Sequence, residues 1–246
     1  MGRRYKLEGA SNRYIQLYDE IRRVGNKISR SGNRLGREDQ KNFYYFTMLE
    51  FYVNGVLLQS FRIKEHRARM KQAEKNLDMM SAQMKGSRIE DLRSKGNEMS
   101  EIIDEELVVP SYVMRFDIHY FVVCVDKILK LYPQLLNAMV RERTGEENID
   151  EIKHQKKGIA EKFKLIQEGS RIGMGKKNVR NFLEHIDTVI GDWKGGKSPL
   201  NFTFHQHPEN DTVIYSDRYS ISVDPKPVIE AYESLVNWIE SLPELK

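Results

Sequence analysis

Apolar residues recur at intervals of three and four over several long stretches of this chain, the spacing of a helix that buries one face. The first stretch follows Gly36, where Glu38 and Asp39 suit the electropositive start of a helix. Phe43, Phe46, Leu49, Val53, Val56 and Leu57 form its stripe, and Tyr45, Met48, Tyr52 and Leu58 widen it, so this helix is expected to be central. From Lys64 to Lys85 the chain has no proline and is strongly charged, with Met70, Leu77, Met80 and Met84 as its thin apolar content. That stretch is expected to continue or restart the helix, protruding from the core or serving as a partner surface.

Gly86 and Gly96 mark breaks, and the acidic run from Glu98 to Glu106 reads as a linker or short helices ahead of Pro110. Ser111 is placed to cap a second major helix whose core stripe is Val113, Phe116, Tyr120, Val123, Ile128 and Leu131. Pro133 is expected to end or kink it before Leu135 and Leu136 resume. A charged helix over 149–167 and a Gly-rich connection, Gly169 to Gly175, come next. Near Lys176 a further helix starts, with Val179, Phe182, Leu183, Ile186, Val189 and Ile190 on one face.

Beyond Gly191 the period changes to two. Asn201-Phe202-Thr203-Phe204 and Tyr219-Ser220-Ile221-Ser222-Val223 alternate polar and apolar groups, and the turn region Pro208 to Asp211 between them predicts a small hairpin. Pro225 and Pro227 open a C-terminal helix carrying Val228, Ile229, Leu235, Val236, Trp238 and Ile239. The predicted class is all-α: a helical bundle with a long charged helical extension and a small C-terminal β-hairpin followed by a helix. Its organisation is a basic N-terminal arm over 1–37 and one helical domain over 38–246, with a charged insertion near 64–109 and the hairpin near 200–224.

A chain of 246 residues with 39% hydrophobic content is long enough to bury a sizeable core. The formal charge of +4 is uneven: residues 1–41 hold eleven Lys or Arg against five Asp or Glu, a basic arm that attracts polyanions. The single cysteine, Cys124, sits in the apolar run Phe121 to Val125, where it reads as a small buried hydrophobe, and one cysteine makes no intrachain disulfide. Gly2-Arg3-Arg4-Tyr5-Lys6 does not resemble a secretion signal, so a cytoplasmic location is expected. No stretch reads as the roughly 18 apolar residues of a membrane span, so a soluble protein without membrane contact is expected.

The candidate chemistry lies in the helix near Lys176. Arg180 and His185 stand about 140° apart around it, with His185 at the shoulder of the apolar stripe and Asn181 one turn before it, in reach of the imidazole. An imidazole can move a proton and a guanidinium fork fits phosphate oxygens, the equipment for 2′-OH attack on an RNA phosphodiester. Two side chains so far apart on one helix do not converge, so a second copy would be needed to complete the site. Lys176, Lys177, Lys194 and Lys197 are candidate phosphate-backbone contacts.

Gly191 to Ser198 matches the spacing G-x-x-x-x-G-K-S of a nucleotide-binding loop. A helix precedes it where a strand is required, and Pro199 follows where the phosphate-binding helix should start, so the cradle is not expected. His205 and His207 share a strand face but are too few for a closed metal site. No cofactor and no metal are expected.

Arg180-Asn181, three residues, then His185, in a helix of a helical chain, resembles the HEPN superfamily, whose motif is Arg, four to six residues and His, often with a polar residue after the Arg. The likeness covers roughly residues 38–190. It implies a homodimeric, metal-independent endoribonuclease of toxin–antitoxin or antiviral defence systems, with Arg180 and His185 catalytic and Asn181 supporting. RNA, a second copy and an antitoxin or other protein partner are the implied partners. The charged insertion after Lys64 departs from a minimal family bundle. The same residues also fit a structural role in which Arg180 pairs with Glu184, His185 bonds Asn181 and the helix only supports a bundle. The alternative function is then a catalytically inactive helical module that binds nucleic acid or protein through the basic arm and the Lys64 to Lys95 segment.

Overall fold

The computed structural model describes residues 40–84, 89–145, 147–170, 202–206, 211–215 and 219–242. Helix α1, Gln40–Met84, runs unbroken for 45 residues, so the charged stretch after Lys64 continues the apolar helix before it. Helix α2 is Ile89–Ile102 and passes into a π-helical turn, Ile103–Val108, and then α3, Val109–Glu142. Helix α4 is Ile149–Ser170, and α5, Lys226–Ser241, closes the described chain.

Several local expectations are revised. The acidic run from Glu98 to Glu106 is helical throughout, and Gly96 lies inside α2 rather than at a break. Ser111 is within α3 and caps nothing; the widened turn sits instead where Pro110 lacks an N–H and its ring crowds the carbonyl four residues back. There the Val109 N–H donates to the Asp104 carbonyl, five residues back. Pro133 neither ends nor divides α3.

The β-hairpin expected over 200–224, pairing 201–204 with 219–223, does not form. Asp211–Tyr215, partly assigned to its turn, is itself a strand (β2) that pairs antiparallel with β1, Phe202–Gln206, and with β3, Tyr219–Ser222. The two segments drawn as hairpin partners lie at opposite edges of this three-stranded sheet. The fold class is corrected accordingly: the bundle is all-helical, and among the described residues its buried apolar side chains sit on helices, apart from Val223 and Leu242 flanking α5.

The chain divides into two compact units, 1–58 with 120–246, and 59–119. In the first, four helical segments form the bundle among the described residues. Asn42 donates to Glu142, and Gly55 meets Cys124, so α1 and α3 run antiparallel. Tyr132 on α3 stacks on buried Phe163 of α4 at 4.3 Å between centroids, and Phe46 of α1 stacks on Tyr232 of α5 at 6.0 Å. Trp238 donates through Nε1 to Gln155 at 3.1 Å, and Lys162 donates to Ser234 at 2.6 Å, fixing α4 against α5. Fully buried Arg143 follows α3 and donates Nη1 to the Met139 carbonyl at 3.0 Å, satisfying one of the orphan acceptors of a helix end.

In the second unit, α1 reaches α3 through Arg62 and His66 at Asp117, and the π-helical turn through Arg69 at Glu106. Arg69 joins the two arms through Nε and Nη2 to the two oxygens of Glu106, the second contact at 3.1 Å. Hydrogen bonding from Arg69 holds the Glu106 carboxyl below the usual carboxylate range.

Candidate functional site

Arg180, Asn181 and His185, with Lys176, Lys177, Lys194 and Lys197, lie outside the described residues, as does the Gly191 to Ser198 loop. The chemistry that is described centres on Asp117. Its carboxylate, with 3% of the residue exposed, lies 3.1 Å and 3.2 Å from Arg62 Nε through its two oxygens. His66 Nε2 stands 3.5 Å from Oδ2, the outer edge of a hydrogen bond, and His66 Nδ1 is buried without a partner.

Burial raises the Asp117 pKa, and the neighbouring Arg62 and His66 oppose that rise. Burial likewise lowers the His66 pKa below its ordinary value, against the pull of Asp117. The imidazole is therefore poised to be neutral at physiological pH, leaving Arg62 as the standing counter-charge. An acid sealed this far from solvent is not placed to exchange protons with a substrate. Among the described residues, no three His, Cys, Asp or Glu side chains gather to hold a metal ion. The cluster is a structural clamp: it ties α1 to α3 and fixes which way α3 is turned.

The turning of α3 has a large consequence. Met114, Ile118, Phe121, Val122, Val125 and Ile128 are buried, and at about 100° per residue they occupy one side of the helix. Val109, Tyr112, Phe116 and Tyr120 fall on the other side and are 56%, 59%, 67% and 56% exposed. Ile128 of the stripe expected to be core is buried, while the stripe as a whole is offset by roughly 130°. Phe116 and Tyr120, assigned inside from sequence, are among the most exposed large side chains of the helix.

The physical reason is that α3 is apolar on both sides, so its periodicity has two solutions. Large rings attract the core assignment because they bury the most area. The outcome is set by Asp117, which Arg62 anchors inward, and by Cys124, which fits against Gly55. Double-sided apolarity also makes the run Arg93–Glu142 long and apolar enough to cross a membrane by length and composition, contrary to the expectation that no such stretch exists. A bundle's core helix meets the same criteria, and part of this one is buried.

The exposed run extends backwards into α2. Glu98 and Glu101 on α2, Glu105 in the π-helical turn, and Val109, Tyr112 and Phe116 on α3 are all exposed, and the last three, spaced by three and four, share one face of α3. Its first half is carboxylate and its second half is apolar. The Arg115 guanidinium lies 5.4 Å from the centroid of the Tyr112 ring, a cation–π contact that steadies that side chain. Neither half stands out as a surface in the sequence: the acids read as a linker or short helices, and Phe116 reads as core. The signal that could have found the apolar half is the three–four spacing of Val109, Tyr112 and Phe116. No protein-family model, curated protein or solved structure matches this chain.

Proposed function

We propose that this chain is a helical protein-interaction module without catalysis of its own, docking a partner through the exposed Val109, Tyr112 and Phe116 face of α3. The observation that carries this reading is the exposure of three large apolar side chains in register on a helix whose opposite face is core. Scattered surface apolar groups need no explanation, whereas aligned aromatic residues are the usual anchors of interfaces. The exposed carboxylates Glu101 and Glu105 just before it in the chain oppose a phosphate backbone, which favours protein over nucleic acid.

Two measurements test the proposal. Size-exclusion chromatography of native extracts compares the parent with the Y112S/F116S double variant. The parent is expected in a complex well above the 28.9 kDa of the chain, and the variant at its monomer size. A parent that elutes as a monomer contradicts the reading. Incubation with single-stranded RNA and excess chelator separates it from the nuclease expected of Arg180 and His185. The module leaves RNA intact, whereas cleavage that disappears in H185A and R180A would make the chain an enzyme.

A further inference from the structure

We infer that the occupant of this face is a basic amphipathic helix of a partner protein, laid along α2, the π-helical turn and α3; this rests on the interaction-module reading above. The run from Glu98 to Phe116 covers 19 residues, about 27 Å at the α-helical rise, so it matches one helical segment rather than a side chain or small ligand. Glu98, Glu101 and Glu105 give its N-terminal half three exposed negative charges, and exposed Asp104 stands beside them. No Lys or Arg occurs between Gly96 and Met114, and Lys95 and Arg115 bracket this acidic and apolar run.

Val109, Tyr112 and Phe116 then present an apolar half that gains by leaving water. A helix complementary to both halves carries Lys or Arg over its first two turns facing the acids, and aliphatic or aromatic groups at the same spacing facing the rings. Basic charge sets the register and suppresses wrong partners, while the apolar half supplies most of the affinity. Polyanions are excluded by the same argument: RNA and anionic lipid both meet the carboxylates first.

The test uses the full chain and two fluorescein-labelled synthetic helical peptides of 21 residues. Both carry Leu at three–four spacing in one half; the other half carries Lys in one peptide and Glu in its counterpart. Fluorescence anisotropy is expected to show the Lys peptide binding at least tenfold more tightly than the Glu peptide. Raising salt should narrow that gap. E101K/E105K should reverse the preference, and Y112S/F116S should abolish binding of both. Both variants change exposed side chains, and circular dichroism confirms their fold.

Equal binding of the two peptides, or a preference that survives E101K/E105K, overturns the inference. So does displacement of the Lys peptide from this face by a single-stranded RNA, by anionic vesicles or by a second copy of the chain. Failure of both peptides to bind while the native extract still shows a complex lost in Y112S/F116S rejects the basic-helix partner and leaves the module reading standing. Absence of that complex from the parent extract as well rejects both.

Discussion

A β-carbon built on Gly55 would stand 2.6 Å from the Sγ of Cys124, far inside any real contact. The absence of a side chain at 55 is therefore what lets α1 and α3 approach in the first unit. Burial pushes the Cys124 thiol up to about 11, so it fills space as a neutral group. Substituting Gly55→Ala should destabilise the fold by about 1–3 kcal/mol through overpacking, less up to about 1 kcal/mol gained in helix propensity. In a Cys124→Ala background the sign should reverse, because the Cys124 β-carbon lies at an ordinary 3.7 Å. Urea denaturation of the four proteins checks this; a Gly55→Ala cost unchanged by removing the sulfur would deny the contact.

The rotation of α3 is open to a direct contrast between two phenylalanines. Phe163 is fully buried and stacked on Tyr132, so Phe163→Ala should cost about 3–5 kcal/mol. Phe116→Ala should change stability by no more than about 0.5 kcal/mol, since its ring faces water. Thermal or chemical unfolding reads both. A large loss at Phe116 would return that ring to the core and turn the helix back to the orientation its aromatic pattern suggests.

The Arg62, His66 and Asp117 clamp should make stability depend on pH in a particular direction. His66 has its folded pKa lowered from 6.5, so its contribution is present above that value and is lost as pH falls through the folded pKa. Asp117 has its folded pKa raised from 3.8; its contribution is complete below that value and is lost as pH rises through the folded pKa. The His66 contribution is therefore lost as the solution is acidified below 6.5. Urea midpoints of the parent should fall towards those of His66→Gln on acidification; a gap that widens instead would reverse the assigned shift.

Much of the helical framework was legible in the chain because one-sided periodicity leaves little choice. Phe46, Leu49, Val53, Val56 and Leu57 are buried where their spacing put them, and Val228, Leu235, Val236, Trp238 and Ile239 form the inner face of α5. Phe43 and Met48, read as part of the same stripe, are exposed at its margin. Reading failed where two answers had equal local support. The apolar stripes of α3 differ only in what faces them, and Arg62 lies 55 residues from Asp117, beyond any local window. The acids before Pro110 read as a linker or short helices because Gly86 and Gly96 suggest breaks; the run is helical, and a π-helical turn lies just before that proline. In the sheet, β2 is hard to read from sequence because its first residue, Asp211, closes a run of turn formers that starts at Pro208.

The most direct test of the central claim places a benzophenone amino acid at Phe116 of the full chain in its native cells, with Glu161, exposed on α4, as the control position. Irradiation should yield a discrete protein adduct from position 116 that is absent from position 161 and lost when Tyr112→Ser is added. No adduct from position 116, or the same adducts from both positions, would contradict a docking role for this face.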